Sequence, residues 1–188
     1  MPAFVSSLRF WLGASVLALL GGIAAGTQAQ GTAARDSAVK AAFLYKFGSF
    51  VEWPAGSFKT PQEPLVIGVL GDEHVAEELE QLAAGRNVEG RPLRIRTLRD
   101  GEAPGPVHIL FIGTMRQQRL RDLLAATPGP VLVVTQQDGA MAAGSVINFV
   151  AEGGRVRFDA SLAAAEMREL KLSARLLAVA RNVEGRPR

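Results

Sequence analysis

The chain has 188 residues, of which 48% are hydrophobic and 21% charged, and its formal net charge is +3 at pH 7. A chain of this length normally forms one globular domain whose core needs no metal or disulfide for stability. The absence of cysteine excludes thiol catalysis, zinc–thiolate sites, disulfide bonds and a lipidated N-terminal cysteine. The basic residues form no block typical of nucleic-acid binding, and Arg116, Arg119 and Arg121 are expected on a solvated helix face.

The first 29 residues have the order of a secretory signal peptide. Arg9 precedes an uncharged, mostly apolar run over residues 10–25, and small residues follow at positions 27–29. The strongly apolar part, residues 10–20, is short for a hydrocarbon layer of roughly 30 Å. We therefore expect export, cleavage after Ala29 and a single domain over residues 30–188. An uncleaved membrane anchor is the alternative.

The first structured element of the exported chain is predicted to be a helix. Residues 30–35 are expected to be a loose leader, and Asp36 or Ser37 would cap a helix that runs to about Val51. Its apolar residues recur at steps of three and four and form one broad face. Pro54 would end the helix, because proline disfavours helical geometry at the residue before it.

Apolar runs of strand length then alternate with amphipathic segments. Continuous apolar runs are typical of strands buried on both faces, and amphipathic segments of 9–12 residues are typical of helices that cover a sheet. Strands are predicted over 65–70, 93–97, 107–112 and 131–134, and helices over 73–84 and in a segment capped by Thr114.

The pattern changes in the last quarter of the chain. Residues 146–150 and 155–158 flank a glycine-containing turn and predict a hairpin. Residues 162–181 are predicted to be helical, with a break at which Ser173 caps a second piece. Buried strands alternating with helices indicate a three-layer α/β sandwich whose mixed sheet has parallel central strands and an antiparallel edge hairpin.

One heptapeptide, Arg-Asn-Val-Glu-Gly-Arg-Pro, occurs twice, over residues 86–92 and 181–187. Each copy follows a predicted helix and places asparagine where a left-handed helix cap is tolerated. We interpret the pair as one type of helix exit used twice, since a solenoid needs several repeats.

The sequence contains no recognisable catalytic constellation. No spacing joins the two histidines, His74 and His108, into a metal site, and His108 is expected to be a satisfied core residue. The serine-nucleophile motif, the phosphate loop and the dinucleotide fingerprint are all absent. We therefore predict no enzyme, metal or cofactor. A hydrolase whose nucleophile and base escape recognition is the alternative.

The ends of the predicted strands supply candidate ligand-binding residues. In open α/β sheets, ligands bind outside the carboxyl ends of parallel strands, where the strand order reverses. Backbone N–H groups at the helix starts there can bind an anion. The alternative is that these positions are simple tight turns. The candidates are Gly71, Asp72, Gly113, Thr114, Thr135 and Gln136.

Aromatic residues are concentrated in one segment, since six of the chain's twelve lie within residues 43–58. Tyr45 and Trp53 fall away from the apolar face of the predicted helix. Because tyrosine and tryptophan are over-represented at interaction hot spots, these two residues and Glu52 are candidates for contact with a protein partner. An aromatic helix packed on a sheet is the alternative for the group.

Several segments together resemble the YfiR-like family of bacterial periplasmic proteins. Residues 39–47 read Val-Lys-Ala-Ala-Phe-Leu-Tyr-Lys-Phe, and residues 50–54 read Phe-Val-Glu-Trp-Pro. The similarity continues through the predicted strands at 65–71 and 109–113 and spans nearly the whole exported chain. It also includes residues 147–149, 155–159 and 170–177.

The resemblance implies a regulatory α/β sandwich that can dimerise and has no catalytic residues. It implies repression of an inner-membrane diguanylate cyclase through binding of its periplasmic part, which keeps cyclic-di-GMP production and biofilm formation low. Disulfides known in the family cannot form in this chain, which has no cysteine, so we do not expect disulfide-based redox control here. A periplasmic small-ligand sensor or carrier that uses the strand ends is the alternative function, and the two are compatible.

Overall fold

The computed structural model describes residues 24–185, with side chains described from residue 31 onward. The chain divides into two units, Met1–Ala34 and Arg35–Arg188. Most of the predicted signal segment lies outside the described residues, whereas Ala29 lies within the first helix. Among residues 24–185, no helix has both the length and the apolar character needed to cross a membrane.

Five helices and ten strands are described between residues 24 and 185. In chain order they are α1 (Ala24–Phe50), β1 (Val51–Glu52), β2 (Leu65–Leu70), α2 (Glu73–Ala83), β3 (Asn87–Val88), β4 (Arg91–Leu98), β5 (Ile109–Ile112), α3 (Gln117–Ala125), β6 (Leu132–Thr135), β7 (Ile147–Glu152), β8 (Arg155–Ser161), α4 (Leu162–Met167), β9 (Lys171–Leu172), α5 (Ala174–Val179) and β10 (Asn182–Glu184).

Eight strands form one mixed sheet in the order β10-β8-β7-β6-β5-β2-β4-β3. Strands β4, β2, β5, β6 and β7 are mutually parallel, and β8 runs antiparallel to β7 in the predicted hairpin. The predicted α/β class is confirmed. The short β10 pairs with β8 and extends the sheet one strand beyond the hairpin. Strands β1 and β9 form a separate antiparallel pair.

Side chains of the central strands alternate between two buried clusters, because successive residues of a strand point to opposite faces. Ile109 and Phe111 pack in the cluster that includes residues of α1, α2, α4 and α5. Leu110 and Ile112 pack in the cluster that includes α3. All four are fully buried. Helices therefore cover both faces, which gives the predicted three layers.

Helix α1 begins earlier than predicted. The expected leader over 30–35 and the caps at Asp36 or Ser37 are wrong, since the helix is continuous from Ala24 to Phe50. Residues 24–35 contain five alanines, and alanine has the highest helix propensity. At the other end, β1 follows Phe50 directly and pairs with β9, so the helix stops before it reaches Pro54.

Thr114 does not cap helix α3, contrary to the sequence prediction. The helix begins at Gln117, and Arg116 occupies the N-cap position without a side-chain hydrogen bond. The backbone N–H of Met115 donates to Gln137 Oε1 at 2.8 Å, which holds the segment in place ahead of the helix. By contrast, Ser173 caps α5 as predicted and accepts the Leu176 N–H at 3.2 Å.

The two copies of the heptapeptide supply β3 and β10, the opposite edge strands of the eight-stranded sheet. Asn87 and Asn182 are strand residues, so their interpretation as helix caps is wrong. In the first copy, Glu89 and Gly90 have φ values of 49° and 78° and turn the chain back, so that β3 pairs antiparallel with β4. In the second copy, β10 pairs parallel with β8.

Candidate functional site

The strand order reverses between β2 and β5, because the chain passes from β2 to its neighbour β4 and then returns across β2 to β5. Such a reversal is where open α/β sheets bind ligands. The two strands meet closely at their carboxyl ends. The Gly113 N–H donates to the Leu70 carbonyl at 2.7 Å. A Cβ on Gly113 would lie 2.2 Å from the Gly71 carbonyl oxygen, so only glycine permits this approach.

A cavity of about 680 Å³ opens at this reversal, and we call it the strand-end crevice. Three of the predicted ligand residues line it, namely Gly71, Asp72 and Thr114. Three arginines, Arg99, Arg116 and Arg119, line it as well. The crevice thus lies where the strand-order rule places a ligand.

Asp72 and Gln136 join the ends of β2 and β6. Asp72 Oδ1 accepts the Val75 N–H at 3.1 Å and caps α2, and Gln136 Nε2 donates to Asp72 Oδ2 at 3.2 Å. Gln136 Oε1 is buried without a hydrogen-bond partner among the described residues. Gln136 and Thr114 line a smaller cavity of about 250 Å³, so Thr114 borders both cavities.

Thr135 differs from the other strand-end candidates, because it is completely buried. Its hydroxyl donates to Asn148 Oδ1 at 2.7 Å and lies 2.9 Å from Ser145 Oγ. The Gln137 N–H donates to the same Asn148 oxygen at 3.1 Å. This network ties β6 to β7, and Thr135 lines neither cavity.

The arginines of the crevice were not predicted as site residues. Arg119 Nη1 donates to Asp100 Oδ2 at 2.7 Å. The guanidinium groups of Arg99 and Arg116 make no hydrogen bond or ion pair within the part of the chain that the structure describes. Arg99 follows β4, and only the pairing of β4 with β2 brings it to the crevice. In the same part of the chain, no three His, Asp or Glu side chains are grouped to hold a metal.

A second cavity, of about 550 Å³, lies beside Trp53, and we call it the Trp53 pocket. The Trp53 ring is 6.3 Å from the ring of His108, which directly precedes β5. The pocket is therefore at the amino ends of the parallel strands, opposite to the crevice. Residues 52–55 form one wall, and Glu166 with residues 169–171 forms the other. The pairing of Glu52 with Lys171 across β1 and β9 brings the walls together.

The Trp53 pocket is aromatic and acidic. Glu52, Glu166 and Glu169 are exposed carboxylates of its lining, and Lys171 is the one cation among the described lining residues. The Trp53 indole Nε1 is buried and has no hydrogen-bond partner among the described residues. Glu169 has φ of 57°, a conformation that non-glycine residues adopt only at some cost. Strain and unsatisfied donors are more common at functional sites than elsewhere.

His108 fixes the loop that follows Trp53. Its Nε2 lies 3.1 Å from the Ser57 carbonyl oxygen, and its Nδ1 accepts the Val66 N–H at 3.1 Å. Both bonds require the neutral imidazole with its proton on Nε2. Burial lowers the pKa of His108, and it outweighs the opposite effects of the Ser57 carbonyl and Glu63. The His108 side chain thus joins the loop at Ser57 to Val66 near the start of β2.

Arg91 and Phe58 complete the attachment of this loop. The Phe58 ring stacks on His108 with a centroid distance of 4.2 Å, and the Arg91 guanidinium lies 3.9 Å from the Phe58 centroid. Arg91 Nη1 also donates to the carbonyls of Thr60 and Pro61 at 2.8 and 2.9 Å. The loop next to Trp53 is therefore held by Arg91 of β4 and by His108, which directly precedes β5.

Tyr45 lies apart from the other two predicted contact residues. Its hydroxyl donates to the Asn87 carbonyl at 3.2 Å, at the edge strand β3, whereas Glu52 and Trp53 share the pocket. Other aromatics of the segment pack inside. Phe47 lies 6.1 Å from Phe149 and 5.3 Å from Phe158, ring to ring. For Phe47, the interpretation as an aromatic helix packed on a sheet is correct.

These features define a doubly wound α/β domain with an open cavity at each end of its parallel strands. A family model described as YfiR/HmsC-like matches residues 37–181, and the chain belongs to this family. The family is periplasmic, regulatory and non-catalytic, and it is known for the control of diguanylate cyclases. None of the curated proteins matches the chain.

Proposed function

We propose that this protein is exported to the periplasm and represses an inner-membrane diguanylate cyclase by binding its periplasmic domain through the Trp53 pocket. The observation that carries the proposal is this concave surface, which combines an indole with three carboxylates and lies within the family match. Tryptophan in a pocket is typical of residues that dominate binding energy at interfaces.

The unsatisfied indole supports a binding role for Trp53. A buried donor without an acceptor costs about 1–3 kcal/mol, and Nε1 of Trp53 is such a donor. A partner segment that rearranges the pocket and places an oxygen against Nε1 removes this cost. The new hydrogen bond to Trp53 Nε1 then contributes to the free energy of binding.

The charges of the pocket indicate the chemistry of the partner. Glu52, Glu166 and Glu169 outnumber Lys171, so the docking segment should carry arginine or lysine. Charge pairs at the rim of an interface mainly speed association, and salt screens them. Binding should therefore weaken as the ionic strength rises.

Repression would be stoichiometric. The protein binds the inactive state of the cyclase more tightly than the active state, and this difference sets the size of the effect. A shift of the cyclase from 1:99 to 99:1 in favour of the inactive state requires about 5.5 kcal/mol of preference.

A deletion strain tests the proposal in the cell. Loss of the gene should raise cyclic-di-GMP, and the wild-type gene should restore the low level. The surface variant Glu169→Lys should fail to restore it, whereas Glu80→Lys should succeed, because Glu80 is an exposed residue of α2 away from the pocket. Unchanged cyclic-di-GMP in a deletion strain, under conditions where the protein is made, would contradict the proposal.

Purified components test the site directly. Trp53→Ala should weaken binding to the cyclase periplasmic domain about 30-fold, the effect of about 2 kcal/mol expected for a hot spot. The charge reversals provide a second test if Trp53→Ala is unstable. The mass of the periplasmic protein tests export, since cleavage after Ala29 leaves a chain that begins at Gln30.

A periplasmic ligand sensor or carrier is the second candidate function. The location of the strand-end crevice at the reversal of strand order favours it. The two functions are compatible, because a ligand that binds one state of the protein better than another can relieve repression.

A further inference from the structure

We infer that the strand-end crevice binds a small organic molecule that carries a carboxylate or phosphate group. The inference rests on the second candidate function above and names the chemical class of its ligand.

The charges that line the crevice differ in whether they are already paired. Asp72 accepts hydrogen bonds from the Val75 N–H and Gln136, and Asp100 is paired with Arg119. Arg99 and Arg116 have no partner for their guanidinium groups among the described residues. Glu73 is the one lining carboxylate that has no hydrogen bond or ion pair in the same set. Unpaired positive groups therefore outnumber unpaired negative ones.

The start of α3 adds to this excess. Its first turn contains no acidic residue, and the side chain at its N-cap, Arg116, caps no N–H group. A helix N-terminus carries a partial positive charge, so arginine is unfavourable there in the absence of a negative group. A bound anion would offset both charges. Guanidinium groups bind carboxylates and phosphates in a bidentate manner.

The volume and apolar lining of the crevice indicate an organic body. Small-molecule sites typically have volumes of about 300–1,000 Å³, and the crevice, at about 680 Å³, falls within this range. Met115, which is partly exposed, contributes apolar surface beside the arginines, whereas Leu70 and Leu98 are buried residues of the same lining. An inorganic ion would leave this surface uncovered, whereas an organic acid or phosphoester covers it.

Four probes with one aromatic ring and different charges test the inference. Benzoate, phenyl phosphate, benzyl alcohol and benzylamine are titrated by calorimetry into protein purified from the periplasm at low salt. We expect at least one of the two anions to bind about tenfold or more tightly than benzyl alcohol. The order of benzoate and phenyl phosphate then distinguishes an organic acid from a phosphoester.

Variants locate the site. Arg99→Gln and Arg116→Gln should each remove most of the preference for the anion, whereas Arg94→Gln, an exposed arginine of β4 outside the lining, should retain it. Amide chemical-shift changes at Gly71 and Thr114 in the wild-type protein give a readout that does not depend on variant stability.

The outcomes distinguish a failure of the anionic ligand class from a failure of the proposed sensor or carrier function. Tighter binding of benzylamine or benzyl alcohol than of either anion would overturn the anionic class and leave the sensor function standing. An anion preference that survives both arginine variants would overturn the site. The absence of saturable binding by all four probes would overturn both.

Discussion

At the amino ends of β2 and β5, polar side chains hold the loop that follows Trp53. At the carboxyl ends of the same strands, two guanidinium groups that have no partner among the described residues border the strand-end crevice. His108 and Arg91 hold the loop after Trp53 through hydrogen bonds to its carbonyls. The guanidinium groups of Arg99 and Arg116 make no hydrogen bond or ion pair in the described part of the chain. In the proposed functions, the first arrangement would give a fixed support for a protein contact, and the second would leave positive charge available to a solute.

This difference implies that the two ends can be altered separately. Effects of substitutions more than about 7–10 Å apart usually add. A change at the crevice that preserves the fold should therefore leave partner binding at the Trp53 pocket intact, and the reverse should also hold. The following substitutions test how far this independence extends.

The largest effect is expected for Gly113→Ala. The new Cβ would meet backbone atoms of Gly71 at 2.2 and 2.7 Å, and backbone cannot rotate away as a side chain can. We expect a loss of about 3 kcal/mol in the free energy of unfolding, measured by urea denaturation. In Gly68→Ala, the Cβ would meet only side-chain atoms, at 3.1 Å or more, so a smaller loss is expected. Equal losses would contradict the close approach of the two strand ends.

A smaller loss, of about 1–2 kcal/mol, is expected for Thr135→Val. The substitution keeps the shape of the side chain but removes the hydroxyl that donates to Asn148, within a fully buried network. Because Thr135 does not line the crevice, affinity for benzoate and phenyl phosphate should stay unchanged. A loss of anion affinity without a loss of stability would show that Thr135 acts at the ligand site after all.

The pH dependence of stability tests the role of His108 at the amino ends of the parallel strands. The folded protein lowers the pKa of His108, so the unfolded chain takes up the proton first as the pH falls. The neutral imidazole therefore contributes stability that is present above the unfolded pKa of about 6.5. This contribution declines as the pH falls toward the lower folded pKa, by at most about 1.4 kcal/mol per pH unit.

Two variants isolate this contribution. His108→Asn places an acceptor near the position of Nδ1 but does not titrate, and His108→Phe removes both hydrogen bonds while keeping a ring against Phe58. We expect a flatter pH profile between 5 and 7 for both variants, and a lower stability at neutral pH for His108→Phe, because the Val66 N–H loses its acceptor. A wild-type slope that persists in both variants would assign the titration to another group.

The parts of the fold set by local sequence were predicted well. Strand β2 has the predicted bounds because five hydrophobic residues and Gly68 lie between Pro64 and Gly71. The sequence pointed to Asp72 and Thr114, which line the strand-end crevice, because they follow the predicted carboxyl ends of two strands. Arg99 and Lys171 were not found, because each joins a cavity only through strand pairing between distant segments.

The repeated heptapeptide shows the limit of local sequence most directly. The same Asn-Val pair lies in an antiparallel strand in the first copy and in a parallel strand in the second. In the second copy, Arg181 makes a bidentate ion pair with Asp159 at 2.8 and 2.5 Å, and the N–H of Arg181 donates to the Phe158 carbonyl. The neighbouring strand, and not the heptapeptide, therefore decides the direction of pairing.

The smallest effect is expected for Tyr45→Phe, which removes one exposed hydrogen bond, of 3.2 Å, to the edge strand β3. Exposed hydrogen bonds contribute little, so stability should change by less than about 0.5 kcal/mol. If partner binding is confined to the Trp53 pocket, the affinity for the cyclase periplasmic domain should also change by no more than about twofold. A twofold change in affinity corresponds to a binding free energy of about 0.4 kcal/mol. A loss comparable to that of Trp53→Ala would extend the contact surface along α1 to the β3 edge. Pocket and sheet edge would then act as one interface, and the independence of the two ends would have to be tested again with β3 included.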